Sequence, residues 1–234
     1  MDTVSEKLVV TAQDGGKFNC HVSRPAKETT AAIIVIQEIF GVTKWLEGTA
    51  DWLAQNGFLA VVPDLFWRLE PGLKLDDRNE KDLNKAFDLY GKFDQNKGVE
   101  DLKEVVRTAR TMDGIEKVGV MGYCLGGLVT FLMAARSDTD ASVSYYGGGI
   151  DEKLDEADKI KKPIILHLPE EDKFITKDKQ AKIKNKLGNN QFVTIHSYPK
   201  MDHAFCRVGG EHYDKTNAEL ANSRTIEFFK KNLG

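Results

Sequence analysis

The sequence predicts an α/β protein with a mostly parallel central sheet, helices on both faces of that sheet and an antiparallel hairpin at the N-terminus. Segments such as Ala31–Gln37 are apolar at successive positions, as in strands that are covered on both faces. From Ala31 onward such segments alternate with helical patterns, which is typical of parallel sheets. Ahead of them, the pair Asp14-Gly15 separates two short strand-like segments and indicates a hairpin turn.

In the first half of the chain, each predicted element has a local signal. The first buried strand is followed by a helix that Thr43 can cap and that Gly57 ends. Pro63 opens a polar stretch to about Glu80, a long surface connection of the kind that often carries substrate contacts. A weakly helical segment follows, and then apolar residues at spacings of three and four indicate a strongly amphipathic helix. The predicted strands are Lys7–Thr11, Phe18–Ser23, Ala31–Gln37 and Phe58–Val62, and the predicted helices are 43–56, Lys81–Phe93 and Val99–Met112.

In the second half, short apolar runs bounded by turn residues continue to alternate with helical segments. The predicted strands are Lys117–Met121, Ala141–Tyr146, Pro163–Leu168 and Phe192–Tyr198, and the predicted helices are Leu125–Arg136, Lys177–Leu187 and Asn217–Lys231. The chain contains no internal repeat, linker or low-complexity tract. We therefore expect a single domain over residues 1–234.

Composition restricts the class of partner. A hydrophobic fraction of 41%, a charged fraction of 29% and a formal net charge of −3 are typical of a globular protein without a basic stripe. We therefore expect a small-molecule substrate and neither nucleic acid nor a membrane as partner. Three cysteines and the lack of a signal-peptide pattern favour a reducing, cytoplasmic location. The oligomeric state stays open, with a monomer favoured, and no cofactor or metal is expected.

The glycine-rich segment Gly122-Tyr123-Cys124-Leu125-Gly126-Gly127 lies between a predicted strand and a predicted helix. Such a short reversal needs backbone positions that a side chain would block, which glycine supplies on either side of Cys124. The thiol would then lie at the tip of a sharp turn, beside the free N–H groups that begin a helix. The alternative is a structural turn with Cys124 as a small buried hydrophobe.

Three further reactive side chains follow predicted parallel strands, whose carboxyl ends collect functional residues. Glu38 follows the first buried strand, Asp172 follows Pro163–Leu168, and His203 follows the last strand. Each has an alternative explanation. Asp172 lies in an acidic loop beside the rival carboxylate Glu171, and Glu38 could be a surface carboxylate. His203 competes with three other histidines, which are His167, His196 and His212.

Two other site types fit the sequence less well. Gly147–Gly149 could form a phosphate cradle, but the usual glycine spacing and a suitable following helix are missing. His203, Cys206 and His212 could be zinc ligands, but their spacing matches no structural zinc motif well. A nucleophile, an acid and a histidine remain the favoured set.

With these residues assembled, the sequence resembles the dienelactone hydrolase (carboxymethylenebutenolidase) family of the α/β-hydrolase fold. The resemblance covers nearly the whole chain, and the order nucleophile, acid, histidine is that of the α/β-hydrolase triad. The segments that carry it, besides Asp172, are Gln37-Glu38-Ile39-Phe40-Gly41, Val62-Pro63-Asp64-Leu65, the segment Gly122–Gly127 and His203-Ala204-Phe205-Cys206-Arg207.

The resemblance implies hydrolysis of a lactone or ester, in aromatic-compound degradation, through a cysteine acyl-enzyme. It implies Cys124 as nucleophile, His203 as base, Asp172 as its orienting acid and Glu38 as a partner of the thiol that holds or takes its proton. The backbone N–H groups of Leu125 and Ile39 would form the oxyanion hole. For substrate binding, the resemblance implies that Arg207 binds a substrate carboxylate, and Tyr123 is expected to contact the substrate.

Two positions depart from the family pattern. Family members that act on dienelactone carry a second arginine and a tyrosine where this chain has Leu83 and Phe87. Arg78 or Lys81 could replace that arginine, and otherwise a less polar ester or lactone becomes the expected substrate. The rival functions are a thioesterase or general carboxylesterase with the same triad, and a non-catalytic thiol sensor on the same fold.

Overall fold

The computed structural model describes residues 3–234 and shows strands and helices in alternation. The strands are β1 (Val4–Thr11), β2 (Lys17–Arg24), β3 (Ala31–Ile36), β4 (Leu59–Pro63), β5 (Lys117–Tyr123), β6 (Ala141–Tyr145), β7 (Ile164–Pro169) and β8 (Val193–Tyr198). The α-helices are α1 (Lys44–Gln55), α2 (Glu80–Lys92), α3 (Gln95–Arg110), α4 (Leu125–Arg136), α5 (Lys177–Leu187) and α6 (Lys215–Leu233). Each predicted element is present, with ends that differ by a few residues.

Within residues 3–234 the strands form one eight-stranded sheet in the order β1-β2-β4-β3-β5-β6-β7-β8. β1 pairs antiparallel with β2 and β2 antiparallel with β4, whereas all later pairs are parallel. The central strands β3, β4, β6 and β7 are buried at every position. Burial at every position reflects cover on both faces, and the predicted α/β class with its N-terminal hairpin is confirmed.

Two glycines of β5 show that helices cover both faces. A Cβ on Gly119 would lie 2.8 Å from the Leu233 side chain in α6, and a Cβ on Gly122 would lie 2.3 Å from the Gly126 carbonyl oxygen in α4. Residues 119 and 122 are separated by an odd number of positions, so their side chains would point to opposite faces. α4 and α6 therefore pack on opposite faces of the sheet.

The helix ends follow local signals in the sequence. The Thr43 side chain caps α1 by accepting a hydrogen bond from the Leu46 N–H, and Asp94 caps α3 in the same way. Among residues 3–234, no helix combines the length and apolar character that a membrane crossing requires. Two short 3₁₀ segments, Ile150–Glu152 and Leu154–Lys159, follow β6 and were not indicated by the sequence pattern.

Close packing at the start of α4 generates a test of the fold. A Cβ on Gly126 would lie 2.3 Å from the Ile36 carbonyl oxygen and 2.6 Å from that of Gln37, both backbone atoms that cannot move aside. Gly126→Ala should therefore lower the free energy of unfolding in urea by about 1–3 kcal/mol, as overpacking does. Gly48→Ala, within α1 with nothing within 4 Å, is the matched control. It should raise stability by up to ~1 kcal/mol. Equal effects at the two positions would contradict the packing.

Candidate active site

Cys124 lies at the junction of β5 and α4, in a backbone conformation that L-residues rarely adopt. Its φ is 55° and its ψ is −115°. Glycine at 122 and 126 allows this turn, because a Cβ at either position would meet backbone atoms at 2.3 Å. The turn presents Cys124 to a cavity of about 380 Å³ at the carboxyl ends of the strands. The predicted sharp turn is present, and Cys124 is only partly buried, unlike the buried Cys20 and Cys206.

Asp172 and His203, which follow β7 and β8, form a direct hydrogen bond. The distance between His203 Nδ1 and Asp172 Oδ2 is 2.8 Å, and the Asp172 side chain is fully buried. The other carboxylate oxygen of Asp172 accepts hydrogen bonds from the backbone N–H groups of Phe174 (2.8 Å) and Ile175 (3.1 Å). These bonds fix the carboxylate, so the imidazole is held with Nε2 as its free nitrogen.

His203 lines the same cavity as Cys124. Within the described chain, His203 Nε2 is buried and has no hydrogen-bond partner of good geometry. Burial disfavours the imidazolium, but the charge of a Cys124 thiolate and the hydrogen bond to Asp172 outweigh it and raise the pKa of His203 to about 10. A Cys124 thiolate therefore favours the protonated form of His203. Catalytic contacts are often loose before substrate binds, so a poorly aligned pair is expected here.

The rival side chains occupy other positions. Glu171 is 54% exposed and pairs with Lys177. His167 is buried in β7, where it shares hydrogen bonds with the hydroxyl groups of Tyr198 (2.7 Å) and Thr225 (3.0 Å). His212 lies in the cavity wall, 3.7 Å from the Asp202 carboxylate, and not against Asp172. Asp172 and His203 are thus the acid and histidine that the fold brings together.

Two backbone N–H groups are available near Cys124. Ile39 and Leu125 both line the cavity, Ile39 after β3 and Leu125 as the first residue of α4. In the described part of the chain, no hydrogen bond uses either N–H as donor. A helix begins with N–H groups that lack internal partners, which explains the free donor at Leu125.

Arg207 lies between two carboxylates in the wall of the same cavity. Its guanidinium donates one hydrogen bond to Glu38 Oε2 at 2.8 Å and another to Asp77 Oδ2 at 2.7 Å. Burial opposes the charge on Arg207, but the carboxylates outweigh it and raise its pKa above the usual value. The second oxygen of Glu38 is buried and has no partner among residues 3–234. Glu38 as a whole is only 5% exposed. Its second oxygen is therefore free to accept a proton.

The rest of the cavity wall is largely apolar. It includes Leu83 and Phe87, the two residues that depart from the family pattern, together with Tyr90 and Phe174, which no pattern in the sequence indicated. Phe174 packs its edge against the His203 ring, with 4.8 Å between ring centroids. The full set of apolar and aromatic residues is Ile39, Phe40, Leu83, Phe87, Tyr90, Leu125, Phe174 and Ala204.

Three expected substrate contacts are not in this wall. Tyr123 is buried and packs between Trp45 and Tyr145, with ring centroids 4.8 and 4.6 Å away, so its role is in the core. Arg78 is 73% exposed and pairs with Asp76, and Lys81 is exposed. Neither cation takes the place of the arginine that the family pattern would put at Leu83.

Residues 3–234 also contain no group of three or more His, Cys, Asp or Glu side chains arranged to hold a metal ion. The three candidate zinc ligands have different surroundings. His203 is bonded to Asp172, Cys206 is buried, and His212 lies near Asp202.

The strand order, the sharp turn at Cys124 after β5 and the Asp172–His203 pair that follows β7 and β8 are those of an α/β hydrolase. Comparisons with known proteins narrow this class. The chain matches the model of the dienelactone hydrolase family over residues 18–233. The chain belongs to that family and is a dienelactone hydrolase-like ester hydrolase.

Individual relatives extend over nearly the full chain. A protein of Azospirillum brasilense, named provisionally as a carboxymethylenebutenolidase, is 42% identical over 228 residues, covering 97% of this chain and 99% of the relative. The carboxymethylenebutenolidase of Pseudomonas putida is 36% identical over 226 residues, 96% of each chain. A solved Klebsiella pneumoniae structure, named provisionally as a dienelactone hydrolase, has a TM-score of 0.88 and 26% identity, covering 99% of this chain and 100% of that one.

The influence of a Cys124 thiolate on the pKa of His203 predicts a change in titration. Cys124→Ala removes the anion that favours the imidazolium, while Asp172 and burial stay in place, so the pKa of His203 should fall from about 10. NMR of the His203 ring nitrogens against pH measures this shift directly. Cys20→Ala, in β2, should leave the titration unchanged, and so is the control. An unaltered pKa in Cys124→Ala would show that the two side chains do not interact.

Proposed function

We propose that this enzyme hydrolyses a lactone or carboxylic ester through an acyl-enzyme on Cys124, with His203 as base and Asp172 as its orienting acid. The observation that supports this most is the 2.8 Å bond between His203 and Asp172. It leaves Nε2 as the nitrogen of the His203 ring that can exchange a proton with a side chain in the cavity. Cys124 lies in the wall of the same cavity.

The chemistry follows from these positions. The Cys124 thiolate attacks the carbonyl carbon, and the carbonyl electrons move to oxygen, where the N–H groups of Ile39 and Leu125 stabilise the oxyanion. The carbon–oxygen bond of the ester breaks, and the protonated His203 donates its proton to the departing alkoxide. His203 then removes a proton from water, which attacks the thioester and releases the acid. The thiolate and the imidazolium are regenerated.

Glu38 is proposed as the residue that controls the thiol. A free cysteine has a pKa near 8.5, so only a few per cent is thiolate at neutral pH. Oε1 of Glu38 is buried without a partner in the described chain, whereas Oε2 is occupied by Arg207. Oε1 can therefore take the thiol proton when substrate enters and return it to the sulfur when the product leaves, so that an empty site keeps a less oxidisable thiol.

The wall favours a second, closely related candidate. Leu83 and Phe87 supply apolar surface where a carboxylate-binding pair would lie, so a carboxylesterase or thioesterase acting on less anionic substrates fits the same triad. The leaving group, alcohol or thiol, separates these activities. A panel of matched oxygen esters and thioesters decides between them.

Other aspects of the function follow the same reasoning. We infer that the chain acts as one domain, because strands from both its ends join one sheet. The three free thiols support work in a reducing, cytoplasmic setting on a small-molecule substrate.

Removing the nucleophile tests the proposal. Cys124→Ala should lower kcat/KM for 4-nitrophenyl butyrate by at least about 10³-fold, and Asp172→Asn by about 10²–10⁴-fold, because the imidazole loses its orienting acceptor. Stopped-flow or steady-state release of 4-nitrophenol measures both. Cys20→Ala is the matched thiol control and should retain wild-type turnover. Substantial turnover by Cys124→Ala would rule out this nucleophile.

The role of Glu38 has a separate test. The rate of Cys124 alkylation by iodoacetamide should rise in the wild-type enzyme when a neutral lactam analogue occupies part of the site. Glu38→Gln should lose this response, because the amide cannot take the thiol proton, while the exposed Glu171→Gln should keep it. Equal responses in wild type and Glu38→Gln would contradict the proposed switch.

A further inference from the structure

The Arg207 guanidinium is not free to receive a ligand. Glu38 and Asp77 each accept one of its hydrogen bonds, and the Arg207 side chain is only 17% exposed. Phe40 covers it on one side, with the guanidinium carbon 5.2 Å from the ring centroid. A substrate carboxylate that needs this cation must therefore compete with two carboxylates that the protein itself supplies.

Among these three charged side chains, Asp77 differs in its position in the chain. Glu38 follows β3 and Arg207 follows β8, but Asp77 comes from the connection between β4 and α2, 130 residues before Arg207. Its side chain is 23% exposed, compared with 5% for Glu38. One cation paired with two carboxylates has an excess negative charge, and Asp77 supplies that excess at the cavity wall.

Across the whole cavity wall, negatively charged side chains also outnumber positively charged ones. The carboxylates are Glu38, Asp77, Asp202 and Glu211, and the permanent cations are Lys173 and Arg207. Lys173 is itself paired with Asp202 at 3.3 Å. Together these side chains place a negative potential in a partly enclosed space, where it repels an anionic substrate more than it would in open water.

We propose that Asp77 determines the charge specificity of this site: by occupying Arg207, it makes the enzyme select esters or lactones with an uncharged acyl group over those with a carboxylate. This inference depends on the proposed hydrolase function and adds its substrate class. Asp77 acts through Arg207 and the field in the cavity, so it is a specificity-determining residue that takes no part in the bond changes. The apolar side chains Leu83 and Phe87 face the same acyl group.

The test uses two 4-nitrophenyl esters of similar length, the neutral butyrate and the anionic hemisuccinate. The wild-type enzyme should have the higher kcat/KM for the butyrate. Asp77→Asn keeps an acceptor oxygen for Arg207 but removes the charge, so it should raise kcat/KM for the hemisuccinate by about tenfold, mainly through a lower KM, and change the butyrate value by less than about threefold. Added salt should reduce the gain, because it screens the charges.

Two variants show whether the effect comes from the charge at this position. Asp77→Glu restores a carboxylate and should discriminate against the hemisuccinate as the wild type does. Asp76→Asn alters the neighbouring residue, which pairs with exposed Arg78, and should leave both substrates unchanged. If Asp77→Asn does not fold by circular dichroism, Asp77→Ser provides the same removal of charge.

The outcomes separate the two proposals. If the wild type hydrolyses neither the butyrate nor the hemisuccinate, the proposed function is rejected. Wild-type hydrolysis with a preference for the hemisuccinate, or no gain for that ester in Asp77→Asn and Asp77→Ser, would reject the role of Asp77 and leave the hydrolase in place.

Discussion

The contact of Gly126 with the carbonyl oxygen of Ile36 is the constraint on which the site depends. It brings the start of α4 against the end of β3, and only a residue without a Cβ fits there. The same contact brings Leu125 and Ile39, the two free N–H donors, to the same cavity from segments far apart in the chain. Cys124 is held at a positive φ between them. Packing of two backbones thus brings the thiol and the two proposed oxyanion donors to one cavity, and little of that geometry depends on side-chain flexibility.

Electrostatics divide the site into two parts. In the first, Asp172 is fixed by two backbone N–H groups and orients His203, and a Cys124 thiolate together with Asp172 raises the pKa of that imidazole. In the second, Arg207 is neutralised by Glu38 and Asp77. The first part carries the proposed proton transfers to the leaving group and from water. The second part leaves one oxygen of Glu38 for the thiol proton and makes the wall unfavourable for a substrate anion.

The sequence predicted the parts of this site that follow strands. Cys124, Asp172 and His203 could be selected because the carboxyl ends of parallel strands meet at one edge of a sheet, and the apolar runs located those ends. Tyr123 was misjudged because β5 continues through it, so its ring packs into the core although the next residue faces the cavity. Asp77 could not be selected, because its acidic neighbourhood is typical of a solvated loop and its partner lies 130 residues away. The 3₁₀ segments after β6 were missed because they have no helical or strand periodicity.

The identity of the nucleophile is the central claim, and direct capture of the intermediate tests it best. Rapid mixing of the wild-type enzyme with 4-nitrophenyl butyrate, an acid quench and peptide mass mapping would locate any acyl group on the chain. We predict one butyryl group on the peptide that contains Cys124, formed in the first turnover and lost as product appears. A butyryl group on Cys20, Cys206 or a serine at the rate of turnover, with Cys124 unmodified, would contradict it.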